Sequence, residues 1–234
     1  MSRTSCNLGG LTRSTYPGAA DYSIGQLLYK GAEADVVRGR WQGLDAVFKV
    51  RKPLTYRLPV LDSAIRRQRT IREAQMIHLA KGAGVAAPFL FYVDAPAATL
   101  VMEYVHGVRV KDLVASMSKE EAEEVFRKFG RDVAKLHSAG IMHGDLTTAN
   151  VVRRGATLVF LDFGLSIRTS RVEDHAVDLR LIKETLVGAH PEASQLALEA
   201  LLRGYSDVVG PARSRAVTRQ LRSIERRGRY ARVT

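Results

Sequence analysis

His143-Gly144-Asp145-Leu146-Thr147-Thr148-Ala149-Asn150, followed twelve residues after Asn150 by Asp162-Phe163-Gly164, is the stretch on which the fold turns. Its residue types divide a chemical task among them. The Asp145 carboxylate can accept a proton, while the amide oxygen of Asn150 and the carboxylate of Asp162 are hard donors of the kind that hold magnesium. Residues 151–161 read as a small hairpin, Val151–Val152 against Thr157–Leu161 with Gly155 in its turn, which folds Asn150 back toward Asp162. Asp-Phe-Gly alone is ordinary turn chemistry. Context gives it weight: the chain has two asparagines, and one stands where the second oxygen ligand is required.

Upstream, Ser118 with Glu121 has capping-box spacing, and Ala122, Val125, Phe126, Phe129, Val133 and Leu136 form a helical stripe that stops at Gly140. Earlier still, Ile24–Tyr29, Ala34–Trp41 and Leu44–Val50 read as strands of an antiparallel meander, parted by turns at Gly31 and Gly43. A helix from Leu61 to Gly82 and two further strands, Phe89–Val93 and Leu100–Tyr104, complete this half. From Glu173 the chain reads as helices broken near Pro191 and Pro211. The order H-x-D-x-x-x-x-N then D-F-G, behind a β-rich half and within a helical one, is the protein-kinase signature. The expected fold is therefore α+β and bilobal, protein-kinase-like, with a β-rich N-lobe over residues 23–105 and a helical C-lobe over 106–234. Residues 1–22, rich in Ser, Thr and Gly, read as a disordered leader.

Phosphoryl transfer from ATP depends on positioning and charge neutralisation, which assigns the remaining roles. Asp145 is the expected proton acceptor, and Asn150 and Asp162 the expected magnesium ligands. Ala46-Val47-Phe48-Lys49 carries the lysine that would hold the phosphates, and Glu73 on the following helix is its expected ion-pair partner; the plain alternative makes both surface charges. Gly31, Ala32, Glu33 and Ala34 stand where a glycine-rich phosphate loop belongs, with a single glycine, and Glu33 is either a restraint on the nucleotide or a solvent-facing turn residue. Met102, Glu103 and Val105 would join the lobes and meet adenine. Fifteen residues separate Asp162 from Asp178, with no Ala-Pro-Glu, so the activation segment is shortened. Gly144 replaces the arginine that in most protein kinases pairs with an activation-loop phosphate, which excludes that switch.

Composition bounds the setting. The 46% apolar content supports a sizeable core, the lone Cys6 excludes an internal disulfide, and no apolar run is long enough to cross a bilayer. A soluble chain of the cytoplasm, the nucleus or both is expected. Much of the net charge of +12 lies in residues 211–234, where eight Arg accompany one Glu on a helix expected over 213–227. Such a tail suits a polyanion or the acidic face of a protein.

These residues together resemble one family closely, the small atypical serine/threonine kinases of the KEOPS (EKC) tRNA-modification complex, the PRPK-like family. The resemblance runs from about residue 24 to 232. It is carried by Gly31-Ala32-Glu33-Ala34, Tyr56-Arg57 with Pro59 and Leu61-Asp62, Glu73-Ala74, the Thr147-Thr148 pair after His-Gly-Asp-Leu, Asp162-Phe163-Gly164-Leu165-Ser166, Val177-Asp178-Leu179, His190-Pro191 and Arg226-Arg227-Gly228-Arg229. It implies an ATP- and magnesium-using kinase or ATPase that supports threonylcarbamoyladenosine formation at position 37 of tRNA. It also implies partner subunits, one of which performs the threonylcarbamoyl transfer, and a tail whose Arg222, Arg226, Arg227, Arg229 and Arg232 contact tRNA. Kinases for small molecules use similar motifs, and a scaffold without chemistry is the third class; the intact Lys49, Asp145, Asn150 and Asp162 argue against the latter.

Overall fold

The computed structural model describes residues 22–230, which form two compact units. The first takes the chain up to Arg67 together with Phe89–Tyr104, and the second takes Gln68–Pro88 and everything from Val105. Most of the expected leader lies outside the described residues, but its last residue, Tyr22, opens a strand and is buried.

In the first unit, β1 (Tyr22–Lys30), β2 (Ala34–Trp41), β3 (Leu44–Arg51), β4 (Leu90–Asp94) and β5 (Thr99–Glu103) form one antiparallel sheet in the order β1-β2-β3-β5-β4. Strand alternation buries Val37, Trp41, Ala46, Phe48 and Val101 with Tyr22 as its core. Trp41 stacks on Tyr92 at 5.4 Å and meets Phe48 edge-on. Gln42 and Gly43 both have positive φ, 49° and 77°, giving the β2–β3 hairpin a tight two-residue turn that follows the twist of its strands. Helix α1 (Pro59–Gly82) starts in this unit and finishes in the second.

The second unit is built on α3 (Lys119–Ser138), α4 (Val172–Ala189) and α5 (Pro191–Tyr230). A short strand β6 (Val108–Arg109) and the one-turn helix α2 (Val110–Leu113) precede them; β7 (Ile141–Met142) pairs with β10 (Ile167–Arg168), and β8 (Val151–Arg154) with β9 (Thr157–Phe160). The two-residue strands β6, β7 and β10 carry too little periodicity to be read from the chain and were not expected, whereas β8 and β9 are the expected hairpin. The expected stripe of α3 is buried throughout, and Ser118 accepts the Glu121 amide at 3.1 Å. The box is not the whole story at that cap, because the Glu121 carboxylate pairs with Arg153 of β8. Pro191 opens α5, and Gly210 (φ 80°, ψ 162°) kinks it just before Pro211, where the sequence sets its breaks. Among the described residues no helix is long and apolar enough to cross a membrane.

Two glycines let α3 and α5 touch backbone to backbone. A methyl group at Gly130 would stand 1.9 Å from the Leu201 carbonyl oxygen, and one at Gly204 would stand 1.9 Å from that of Arg127. An Ala in a helix interior ordinarily stabilises by about 1 kcal/mol relative to Gly. Here the sign should reverse: Gly130→Ala or Gly204→Ala is expected to destabilise the chain by about 1–3 kcal/mol through forced separation of the helices, measured as a lowered midpoint in urea unfolding.

Candidate functional site

The loop from β7 to β8 carries His143, Asp145 and Asn150. It leaves β7, turns at Gly144 and closes through a 3-10 turn at Thr148–Asn150. Gly144 has φ +83°, and a methyl group there would lie 2.5 Å from the Leu165 carbonyl oxygen. No side chain fits, so the absence of arginine is a backbone requirement. The carboxylate of Asp178, on the buried face of α4, accepts the amide of His143 at 2.6 Å and that of Gly144 at 2.8 Å. It also lies 3.2 Å from His137 Nε2. Sequence reasoning used Asp178 as a landmark and missed this role, although an acidic residue set among Ala176, Leu179, Ile182 and Leu186 on one helix face is a legible signal.

His143 ties this loop to the next. Its Nδ1 accepts the Asp145 amide at 3.3 Å, which leaves the proton on Nε2 to be donated to the Leu161 carbonyl at 3.1 Å. Complete burial lowers its pKa and keeps the ring neutral, as that pattern requires. The ring packs on Phe163 at 4.8 Å, and the Ser166 hydroxyl donates to the His143 carbonyl at 2.7 Å. Asp162, next to Leu161, is held in the left-handed region at φ +57° and accepts the Gly164 amide at 3.2 Å.

The Asn150 amide donates to Asp145 twice, to the backbone oxygen at 3.0 Å and to Oδ2 at 2.8 Å. Both of its N–H bonds are thereby used, and its carbonyl oxygen is the atom left for a cation. The hairpin closes behind it, with the Leu161 amide donating to the backbone carbonyl of Asn150 at 2.8 Å, which leaves the side-chain oxygen out of that bond. It runs two residues longer than expected on its first strand and ends at Phe160 on its second. Thr148, buried, lies 3.4 Å from His190 Nε2.

The first unit holds Lys49, the Gly31–Ala34 turn, Met102 and Glu103, and the second holds Glu73, Val105 and the basic tail. Lys49 sits on β3 between Val36 and Leu100, and its side chain is buried. Glu73, on the part of α1 that belongs to the second unit, is 1% exposed, so neither is a surface charge. Gly31 closes its turn on the Ala34 carbonyl at 2.9 Å, and Met102 is buried in β5. The amides of Glu103 and Tyr104 are committed to the carbonyls of Phe89 and Asp45. In the tail, Arg213 donates to Ser170 and His175, and Arg227 pairs with Glu173 at 3.1 Å, so part of the basic charge is spent on the chain's own surface. Arg222 and Arg226 are exposed; Arg232 and the Arg229 side chain lie outside the described residues.

Behind Asp178 a polar cluster fills the helix junction. His137 bonds the Tyr205 hydroxyl at 2.9 Å and stacks on His175 at 4.1 Å. His175 accepts from Arg213 and donates to the Thr169 carbonyl, which is the pattern of a neutral ring. Burial, with His137 and Arg213 beside it, pushes its pKa down to about 4 from 6.5. Below about pH 6.5 the unfolded chain therefore binds a proton that the folded chain refuses, and stability falls as pH drops toward 4. His143 and His190 shift in the same direction through burial. Asp178 acts lower: burial opposes its charge, but the His137 and backbone bonds hold it below the usual carboxylate value, so its contribution is lost only under more acid conditions. The thermal midpoint should fall between pH 6.5 and 4, and His175→Asn, which keeps one donor and one acceptor without titrating, should flatten that slope in a calorimetric pH series.

Comparison with known proteins shows the family and the fold. The protein kinase domain family matches residues 22–190. The KEOPS complex subunit Bud32 of Pyrococcus abyssi is 38% identical over 211 residues, 88% of this chain and 96% of that one. A probable bifunctional tRNA threonylcarbamoyladenosine biosynthesis protein of Methanothermobacter thermautotrophicus is 40% identical over 87% of this chain, which spans 36% of that longer protein. Among solved structures, the Rio2 kinase of Chaetomium thermophilum in its ADP/Mg2+-phosphoaspartate complex matches 89% of this chain and 72% of its own, with a TM-score of 0.61 at 15% identity, a likeness of fold. With its kinase-type loops and this degree of identity, the chain belongs to the protein kinase domain family and, within it, to the Bud32-type phosphotransferases or ATPases.

Proposed function

We propose that this chain is an ATP- and magnesium-dependent atypical serine/threonine kinase or ATPase, the nucleotide-using subunit of a KEOPS/EKC assembly that supports threonylcarbamoyladenosine formation at position 37 of tRNA. The observation that carries this reading is the Asp145–Asn150 pair. One amide spends both N–H bonds on Asp145, orienting that carboxylate, and keeps its oxygen for a cation. Asn150 and Asp162 suit magnesium: two hard oxygens, one neutral and one charged, leave the remaining positions to water and phosphate. When bound, that ion neutralises charge on the β and γ phosphate oxygens.

The chain's own residues supply the rest. Asp145 takes the proton of the attacking hydroxyl, which belongs to water or a serine. Lys49 holds the phosphates and Glu73 orients Lys49, while Gly31, Ala32, Glu33 and Ala34 cover the phosphates and Met102, Glu103 and Val105 line the base. The P. abyssi relative is named for its complex, which supports partner subunits here. The bifunctional relative has nearly two thirds of its length outside the match, which supports a partner that performs the threonylcarbamoyl transfer. Cytoplasm or nucleus is the setting this assembly would require.

Asp145→Ala is expected to bind ATP nearly as well as the parent chain while its turnover falls by about 10²–10⁴-fold. Asp162→Ala is expected to lose magnesium-dependent turnover altogether. ATP hydrolysis by purified variants over a magnesium titration measures both, and an Asp145→Ala chain that turns over at the parental rate removes its assigned role.

Arg222, Arg226 and Arg227 are the exposed candidates for RNA contact, and Arg222 and Arg226 are the two not paired with Glu173. Each phosphate they neutralise releases counterions, so replacing both by Ala should make the log–log salt dependence of tRNA binding shallower by about 0.7–0.9 per lost contact. Nucleotide binding should be unchanged. Binding isotherms at several salt concentrations, with the partners present, test this; identical slopes would assign the tail to protein docking.

A further inference from the structure

The loop from Asp162 to Ser166 divides its residues between solvent and core. Asp162 and Leu165 are exposed, while Phe163 and Ser166 are buried at 0% and 1% exposure. Phe163 is an apolar anchor and needs no hydrogen bond. Ser166 is a different case, because a buried hydroxyl must find an acceptor. It donates to the His143 carbonyl at 2.7 Å, its one side-chain hydrogen bond among the described residues, and its amide closes a turn on the Phe163 carbonyl at 3.1 Å.

The other end of the loop is tied to the same residue. His143 Nε2 donates to the Leu161 carbonyl at 3.1 Å, so His143 holds the chain before Asp162 with its ring and after Gly164 with its backbone oxygen. Backbone contact completes this bracket, since Gly144, at φ +83°, lies so close to Leu165 that a methyl group on it would stand 2.5 Å from the Leu165 carbonyl oxygen. Between the two ties sits Asp162 at φ +57°. A residue with a side chain enters the left-handed region at a cost, and keeps it only where its surroundings enforce it. The Gly164 amide, bonded to Asp162 Oδ1 at 3.2 Å, enforces it locally, and the two ties to His143 enforce it from outside the loop.

We infer that Ser166 is a positioning residue for Asp162: its hydroxyl closes the bracket that keeps Asp162 left-handed, and so presents the carboxylate to magnesium in register with the loop that carries Asp145 and Asn150. This rests on the magnesium-binding role proposed above for Asp162. Ser166 acts through the His143 carbonyl, which makes the two loops move as one unit.

Two measurements on the full chain test it. Amide hydrogen exchange without ligands reads the bracket itself: in Ser166→Ala, residues 162–166 should exchange about three- to tenfold faster, the size of one ordinary hydrogen bond, with α3 unchanged. Titration calorimetry with ATP reads the consequence. Ser166→Ala should weaken binding in magnesium by about three- to tenfold and leave binding in EDTA unchanged, and Ser166→Thr, which keeps the hydroxyl, should recover part of the loss. Unaltered exchange over 162–166 would overturn the inference, and so would equal weakening with and without magnesium, the mark of a serine that only supports the fold. A parent chain whose ATP binding is not strengthened by magnesium would sink the magnesium reading and this inference with it. Normal magnesium dependence in the parent, with Ser166→Ala indistinguishable from it, would sink the inference alone.

Discussion

A single buried carboxylate organises the chemistry-bearing half of this protein. Asp178 is withdrawn from water, which by itself disfavours its charge, yet it stays ionised because two loop amides and a histidine ring point at it. Hydrogen bonds to a charged group contribute about 1.5–3 kcal/mol each, and a buried donor left without its acceptor costs a similar amount. The loop carrying Asp145 and Asn150 is therefore held by its backbone at His143 and Gly144, and within it the Asn150 side chain holds Asp145.

The same carboxylate joins that loop to the helical frame. Through His137 it touches Tyr205 of α5, and through the His137–His175 stack it lies one contact from Arg213, beyond the Gly210 kink. The frame is stiff because α3 and α5 meet at Gly130 and Gly204 with no side chain between their backbones. Below the kink, Lys183–Glu225 at 2.6 Å and Arg227–Glu173 fasten the last part of α5 to α4. The basic tail is thus continuous with the element that holds the loop, and only part of its charge faces outward.

Two departures from common kinase sequences acquire physical reasons. Gly144 stands where an arginine is usual because the backbone there is left-handed and pressed against Leu165. The single-glycine turn is tied by charged side chains, Lys52 to the Gly31 carbonyl and Arg57 to the Glu33 carboxylate. Both are local exchanges of one kind of constraint for another, and neither disturbs the order of the loops.

The amino-acid sequence by itself determined the order of the longer elements, the stripe of α3, the Ser118 cap, the breaks near Pro191 and Pro211 and the residue types at Asp145, Asn150 and Asp162. Periodicity, capping residues and helix breakers act over a few neighbours, and motif spacing is a property of the chain. Tertiary structure decided what depends on residues far apart. Asp178 meets His143 across 35 positions and His137 meets Tyr205 across 68, so the sequence could mark Asp178 as lying on an apolar helix face but could not name either partner. The Glu121 carboxylate went to Arg153 because β8 arrives beside the cap, overriding a local pattern with a charge from elsewhere. Lys49 and Glu73, an expected ion pair for which the sequence kept exposed surface charges as the alternative, are buried, because burial is set by what packs over a side chain and not by its neighbours in the chain.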